Sequence, residues 1–268
     1  LGVLTLPNGI FLTNFASIRT RSIPEILRES GGYSSQILTG DEPSFDNLYH
    51  SFRQWYDEHE YDPKKTDDLS LAKWLVETHE ANRATPHLLT WMTASTHLPF
   101  NIPNSPKPNA TDMGEKYVMA LQFMDRSIGH YIAHLKATPE WDNTWVIMVG
   151  DHSVPNRWLQ RNIDELGGLN LGHLWTSMLI AGPGIKESKV RTESVSHFDI
   201  APTIMAISGI HSSNHFLGVN LRDTTLTREF YDTRYLMGFH FKNASIGRGN
   251  TWLNFHMADT DYVKKFDL

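Results

Sequence analysis

Cysteine is absent from all 268 residues of the chain. Its absence excludes a disulfide scaffold, a thiolate zinc site and a cysteine nucleophile within these residues, and it leaves the cellular compartment open. Long apolar runs are also missing: no stretch is long enough to cross a bilayer, and no signal-peptide pattern follows a basic start. Because the chain begins at Leu1 and not at Met, we expect any membrane association to come only from N-terminal segments that precede it.

The chain also lacks a large excess of acidic over basic residues, or of basic over acidic residues. The chain has 24 basic and 30 acidic residues, a net charge of -6, which argues against a nucleic-acid partner. Hydrophobic residues make up 40% of the chain and charged residues 20%, the balance of an ordinary soluble globular protein. The fourteen histidines are unusual; they permit metal-binding or acid–base chemistry without proving either.

Short apolar runs alternate with helical patterns over most of the chain. Helices are predicted over 22–29, 67–82, 112–136 and 199–207, and strands over 33–38, 86–93, 144–149 and 177–180. Ser22 and Thr111 are the expected caps of the first and the longest helix. Strand, long helix and strand in succession predict an α/β fold with a mostly parallel sheet flanked by helices. We expect this domain over residues 1–225, and a small C-terminal antiparallel or α+β subdomain over residues 226–268.

Polar side chains follow three of the predicted strands. Asp41 and Glu42 follow the first, His97 the second, and Asp151 and His152 the third. Ligands of open α/β sheets bind at the carboxyl ends of the strands, so we expect these side chains at one rim. An adjacent carboxylate and imidazole can bind one divalent cation. Taken singly, each feature is explained as simply by a solvated turn, a loop hydrogen bond or a chance dipeptide.

The sharp turn that this cation site needs is attributed to Gly150, which precedes Asp151-His152. Further along, Asn156 and Arg157 could clamp an anionic group or simply lie on the surface. His173 could be a buried, hydrogen-bonded histidine or a group that supports the site.

Several segments, taken in chain order, form a family pattern. His97-Leu98-Pro99-Phe100 matches a His-x-Pro-Phe motif, and Asp199-Ile200-Ala201-Pro202-Thr203 matches an Asp-x-x-Pro-Thr helix start. Matching segments also lie at 22–33, 124–129, 146–152 and 265–268. Together they resemble the sulfatase family, within the alkaline phosphatase superfamily.

Two departures refine this resemblance. Arylsulfatases place Lys and His soon after the glycine that corresponds to Gly40, whereas Asp41 and Glu42 stand here. This region is more similar to the branch of lipoteichoic-acid synthases and phosphoglycerol transferases. The family's nucleophile, a threonine in that branch, has no suitable match, since Thr13, Ser17 and Thr20 lie in the wrong place. We therefore expect the nucleophile upstream of Leu1.

The resemblance implies a metal-dependent hydrolase or transferase of sulfate or phosphate esters, most like a phosphoglycerol transferase. The cofactor would be a divalent ion, Mn²⁺, Ca²⁺, Mg²⁺ or Zn²⁺. Asp151 and His152 would be metal ligands, and His97 would hydrogen-bond the bound group or protonate the leaving oxygen. The candidate substrate-binding residues are Asp41, Glu42, Asn156, Arg157 and His173.

The same resemblance implies an anionic ester substrate, lipid- or glycan-linked, and a place on the extracytoplasmic face of a bacterial membrane or in the periplasm. Two alternatives stay open: an arylsulfatase-type sulfuric ester hydrolase, and a non-catalytic binding module on a degenerate fold of this family. Because no nucleophile is found, we expect little or no turnover from these 268 residues alone.

Overall fold

The structure is a computed structural model that describes residues 21–40, 42, 48–100, 102–154, 176–211, 216–240, 243–249, 251–256 and 259–267. The chain divides into two compact units, one within residues 11–145 and the other formed mainly by residues 146–268. Each unit is described by itself. Among the helices of the described ranges, none combines the length and the apolar character that a membrane span requires.

The first unit alternates helices and strands. Its elements are α1 (Ile23–Gly31), β1 (Ser34–Thr39), α2 (Leu48–Trp55), β2 (Glu58–Tyr61), α3 (Asp68–Asn82), β3 (His87–Met92), α4 (Met113–Lys136) and a 3₁₀ turn over Pro139–Asn143. The predicted helices over 22–29, 67–82 and 112–136 and the predicted strands over 33–38 and 86–93 are all present, with ends shifted by one or two residues. Strand β2 and helix α2 are not predicted from the sequence.

The three strands of this unit form a parallel sheet in the order β2-β1-β3. Central β1 is almost wholly buried, whereas β3, at one edge of these three strands, is half-buried. Thr39 pairs with Met92 in the register of β1 and β3. The two strands therefore end at the same edge of the sheet, which places Gly40 beside Ala94 at the start of the loop that carries His97.

Helix caps set the starts of α1 and α4. Ser22 caps α1 as predicted, and it forms a capping box in which the Glu25 side chain accepts from the Ser22 N–H. The predicted cap of α4, Thr111, is wrong. The helix begins at Met113, so the capping position falls on Asp112, whose carboxylate accepts from the Glu115 N–H at 2.7 Å.

The second unit contains two antiparallel sheets. Strands β4 (Val146–Val149) and β5 (Met178–Ala181) form one pair. A 3₁₀ turn (His197–Asp199) leads into α5 (Ile200–Ile207), and α6 (Arg228–Thr233) precedes the last sheet. That sheet has the order β6-β7-β8-β9 and comprises β6 (Tyr235–His240), β7 (Asn243–Arg248), β8 (Thr251–His256) and β9 (Asp259–Asp267).

The predicted small antiparallel sheet at the C-terminus is confirmed. Strand β5 differs from the expectation, because it runs antiparallel to β4 where the sequence suggested parallel strands. A short apolar run specifies burial but carries no information about strand direction. The division at residue 225 stays a prediction.

Candidate active site

Asp151 and His152 follow β4 directly and point toward each other. Their side-chain atoms Oδ2 and Nε2 are 3.6 Å apart, and the two side chains are 89% and 55% exposed. The His152 N–H also donates to the Asp151 carboxylate at 2.8 Å. An exposed carboxylate and imidazole held this close can approach one ion from the solvent side.

The atoms that these two residues offer suit a divalent cation. His152 Nδ1 lies 2.9 Å from the Ser153 carbonyl, an acceptor, so in the neutral ring Nδ1 carries the hydrogen and Nε2 carries the lone pair that a metal ion would need. Ligands bind such ions at about 2.0–2.4 Å, so two ligands of one ion can be 3.6 Å apart. Within the described residues, no group of three or more His, Asp or Glu side chains converges in this way.

Gly150 is required here for packing and not for a special backbone conformation. A Cβ at this position would lie 2.1 Å from Thr176 Oγ1. Its φ is outside the left-handed region, so a positive φ does not account for this glycine, and its predicted help in turning the chain toward Asp151 and His152 stays a prediction. The backbone of Gly150 is held from two sides: its N–H donates to the Ser177 carbonyl, and its own carbonyl lies 2.7 Å from His197 Nε2.

A buried ion pair fixes the turn that carries His197. The Asp199 carboxylate is fully buried and accepts two bonds from the Arg234 guanidinium, at 2.8 and 3.0 Å. It also accepts from the N–H groups of Ser196 and Val219 at 2.8 and 2.9 Å. Four donors therefore satisfy this buried charge. The same carboxylate closes a capping box around the 3₁₀ turn, which holds His197 against Gly150.

His97 lies in a tight loop after β3. Its N–H donates to the Ala94 carbonyl at 3.0 Å, and its carbonyl accepts from the Phe100 N–H at 2.8 Å. Phe100 has φ 64°, a left-handed conformation that is uncommon outside glycine, and its buried ring packs near Tyr117. His97 Nδ1 lies 2.9 Å from the Leu98 carbonyl, so the neutral ring carries its hydrogen on Nδ1. Nε2 is then the nitrogen that can accept and pass a proton.

A buried carboxylate lies beneath this loop. Asp68, in the first turn of α3, is fully buried. It accepts from the N–H groups of Ala94 at 2.8 Å and Ser95 at 3.3 Å. The pKa of Asp68 is raised because burial disfavours the charged carboxylate, although the bond from Ala94 and those from Ser95 oppose that effect.

A cluster of histidines lies at the start of β3, away from the loop of His97. Buried His79 of α3 has its Nδ1 3.1 Å from the Tyr131 hydroxyl and 3.4 Å from His87 Nε2. His134 Nε2 lies 3.0 Å from a Glu80 carboxylate oxygen nearby. The pKa of His79 is lowered, chiefly by burial and also by the neighbouring His87. Burial, reinforced by His87, therefore favours the neutral form of His79.

The predicted site residues are only partly described. Glu42 is exposed, and its chain segment starts at the same edge as the His97 loop. Asp41, Asn156, Arg157 and His173 lie outside the described residues. His97 belongs to the first unit, and Asp151 and His152 belong to the second, so their sharing of one rim stays a prediction.

The family model named Sulfatase matches residues 9–210, about three quarters of the chain. The chain belongs to the sulfatase family. The resemblance to this family that the sequence indicated is thereby confirmed; the segment at 265–268 lies outside the matched residues. In general terms, membership supports a hydrolase or transferase of sulfate or phosphate esters. Members of the superfamily generally use divalent metal ions.

A lipoteichoic acid synthase is among the relatives of this sulfatase-family chain. It is 25% identical over 238 residues to lipoteichoic acid synthase of Staphylococcus aureus, a match that covers 79% of this chain and 36% of the synthase. The chain thus spans about a third of the length of that relative.

Two solved structures show the fold. An alkaline phosphatase superfamily protein from Vibrio parahaemolyticus matches with a TM-score of 0.73 and 22% identity, covering 92% of this chain and 60% of the other. The lipoteichoic acid synthase LtaP from Listeria monocytogenes matches with a TM-score of 0.65 and 17% identity, covering 96% and 71%. The expected alkaline phosphatase-like α/β fold is confirmed.

The contacts of two supporting carboxylates, Asp68 and Asp199, are not predicted from the sequence. Asp68 follows another aspartate at a helix start, where either residue could be the cap. Asp199 lies in the Asp-x-x-Pro-Thr motif, but its partner Arg234 is 35 residues away. A sequence motif identifies such a residue but does not predict which residue it contacts.

Proposed function

We propose that this chain contributes the Asp151-His152 metal ligands and the His97 proton donor of an enzyme that hydrolyses or transfers sulfate or phosphate esters. A phosphoglycerol-transferase type of reaction is the form we favour. The observation that carries the proposal is the pair of Asp151 Oδ2 and His152 Nε2, 3.6 Å apart, with the other histidine nitrogen engaged by a carbonyl. Family membership supports the ester chemistry.

The bound cation would lower the pKa of an oxygen nucleophile and neutralise charge on the ester oxygens. By its oxygen and nitrogen ligands it would be Mn²⁺, Ca²⁺, Mg²⁺ or Zn²⁺. The other ligands and the nucleophile would come from outside the described residues. Glu42 with Asp41, and Asn156 with Arg157 and His173, remain the candidates for substrate contacts.

His97 would act through Nε2. Its Nδ1–H is donated to the Leu98 carbonyl, which orients the ring, so protonated Nε2 can donate to the leaving oxygen. The turn from Ala94 to Phe100 holds the backbone of His97 from both sides. This arrangement would position His97 as the proton donor.

The substrate we propose is an anionic ester linked to a lipid or a glycan, and the setting is extracytoplasmic. The support is the likeness to lipoteichoic acid synthases. The chain covers 36% of the Staphylococcus aureus synthase, so this substrate and setting come to the chain only as a proposal.

The test is metal-dependent turnover by the full-length protein. Hydrolysis of bis(p-nitrophenyl) phosphate and of p-nitrophenyl sulfate is measured before and after metal removal, and after each candidate ion is restored. We expect phosphodiester hydrolysis that the chelator abolishes and a divalent ion restores. His97→Ala should lower kcat by about 100-fold or more, and His130→Ala, an exposed histidine on α4, should not change it. Preference for the sulfate ester would support the arylsulfatase alternative.

A non-catalytic binding module is the second candidate. It is favoured by one observation: within the described residues the metal ligands form a pair and no larger group. Absence of turnover on both esters, together with absence of metal binding by the full-length protein, would support this candidate and refute the enzyme.

A further inference from the structure

We propose that Asp68 is a positioning residue that holds the loop carrying His97 through backbone hydrogen bonds. The catalytic consequence rests on the function proposed above, whereas the structural role does not. Asp68 is bonded to the loop that carries His97, so its effect on catalysis would pass through His97.

Two consecutive aspartates at the start of α3 have different tasks. The Asp67 side chain caps the helix, because it accepts from the N–H groups of Leu69 and Ser70 at 3.0 and 3.1 Å. The Ser70 hydroxyl also donates to it at 2.6 Å. The helix start is thereby satisfied, and Asp68 is not needed as its cap.

Asp68 instead bridges to the loop after β3. One carboxylate oxygen accepts from the Ala94 N–H at 2.8 Å and the other from the Ser95 N–H at 3.3 Å. In return, the Asp68 N–H donates to the Ser95 hydroxyl at 3.3 Å. The carboxylate is fully buried, and a buried charge is costly unless such donors compensate it. An apolar side chain would carry no such desolvation cost, so the reason for a carboxylate here is the set of hydrogen bonds that it accepts.

The bridge reaches His97 through one turn. The Ala94 N–H is bound to Asp68, and the Ala94 carbonyl accepts from the His97 N–H at 3.0 Å. The His97 carbonyl then accepts from the Phe100 N–H at 2.8 Å. A shift of Ala94 and Ser95 would move His97 as well, because His97 is bonded to the Ala94 carbonyl and only Thr96 lies between Ser95 and His97.

Packing against Gly40 also restricts the position of Ala94. A Cβ on Gly40, at the end of β1, would lie 3.2 Å from the Ala94 side chain and 3.1 Å from Leu71 of α3. Ala94 therefore lies against the end of β1 and is bonded to the carboxylate of Asp68. Misplacement of a reacting group by about 1 Å can cost on the order of 100-fold in rate, so this support bears directly on His97.

The first experiment is structural and needs no activity. It compares Asp68→Asn with the matched control Asp67→Asn, both at the start of α3, by NMR of the His97 ring nitrogens and by amide exchange at residues 94–100. We expect Asp68→Asn to mix the two His97 ring tautomers and to speed amide exchange at Ala94 and Ser95 by about tenfold or more. Asp67→Asn should leave both observables as in the wild type. Asp68→Asn is chosen because it keeps the side-chain volume, whereas Asp68→Ala can unfold the chain.

The second experiment measures kinetics of the same variants in the full-length protein with bis(p-nitrophenyl) phosphate. We expect Asp68→Asn to lower kcat by about 10- to 100-fold with KM changed less than about threefold, and Asp67→Asn to lower neither. Ser95→Ala, which keeps both backbone donors, should have a smaller effect. Unchanged His97 spectra and amide exchange in Asp68→Asn, or equal changes in Asp67→Asn, would overturn the positioning role. Absence of wild-type turnover would instead overturn the proposed function and leave the structural test intact.

Discussion

Replacing Arg234 with methionine should destabilise the second unit by about 3 kcal/mol. The Arg234 side chain is 13% exposed, and its guanidinium donates two hydrogen bonds to the fully buried carboxylate of Asp199. Methionine keeps the apolar stem of the side chain and removes only the charge and its hydrogen bonds. Asp199 is then left as a buried charge without its cation.

The magnitude follows from what Asp199 retains. Removing one partner of a buried pair costs about 3–5 kcal/mol. The carboxylate keeps the N–H donors of Ser196 and Val219, so we expect the lower end of that range. With a urea m-value of about 2 kcal/mol/M, a loss of about 3 kcal/mol lowers the midpoint of unfolding by roughly 1.5 M.

The matched control is Arg228→Met, six residues earlier on α6. Arg228 lies 3.4 Å from Asp232, and both side chains are exposed, so this pair is worth less than about 1 kcal/mol. Urea unfolding followed by circular dichroism measures both variants. The reasoning would be refuted if the free energy of unfolding of Arg234→Met were within about 1 kcal/mol of the wild-type value, or if Arg234→Met were no less stable than Arg228→Met.

Two further predictions concern other parts of the fold. Burial holds the pKa of His79 below its usual value, so the folded state binds this proton more weakly than the unfolded state. This difference in proton binding has no effect on stability above a pH of about 6.5, where His79 is neutral in both states. As the pH falls from there toward the folded-state pKa, the unfolded state takes up the proton first and the folded state loses stability relative to it. The unfolding free energy should therefore fall more steeply below that pH in the wild type than in His79→Gln; equal slopes in urea titrations would contradict this. Gly150→Ala should cost about 1–3 kcal/mol because its Cβ would lie 2.1 Å from Thr176 Oγ1. Thr176→Ala should restore part of that loss, and thermal unfolding that shows no rescue would argue against the clash.

Much of the fold is predictable from local pattern. Ser22 with Glu25 three residues later marks a capping box, and the apolar stripe of α4 repeats at helical spacing over the whole element. Strand β2 is missed because Glu58–Tyr61, the sequence Glu-His-Glu-Tyr, is too polar to mark a strand by itself. Its parallel partner β1 stabilises it, and such a partner is not visible in a local window.

The site is predictable where its residues are neighbours in sequence. Asp151 and His152 are adjacent, so the pair stands out. The contact of His197 with Gly150 joins positions 47 residues apart, and that of Asp68 with Ala94 joins positions 26 apart. These supporting contacts depend on how the chain folds back, and no spacing rule encodes them.

Metal binding by the full-length protein tests the central claim most directly. Calorimetric titration with Mn²⁺, Mg²⁺, Ca²⁺ and Zn²⁺ is carried out on the wild type, Asp151→Ala, His152→Ala and the exposed control Asp142→Ala. We predict that at least one ion binds the wild type and Asp142→Ala alike, and that either ligand variant weakens its affinity by about 100-fold or more. Wild-type affinity for every ion in both Asp151→Ala and His152→Ala would contradict the account.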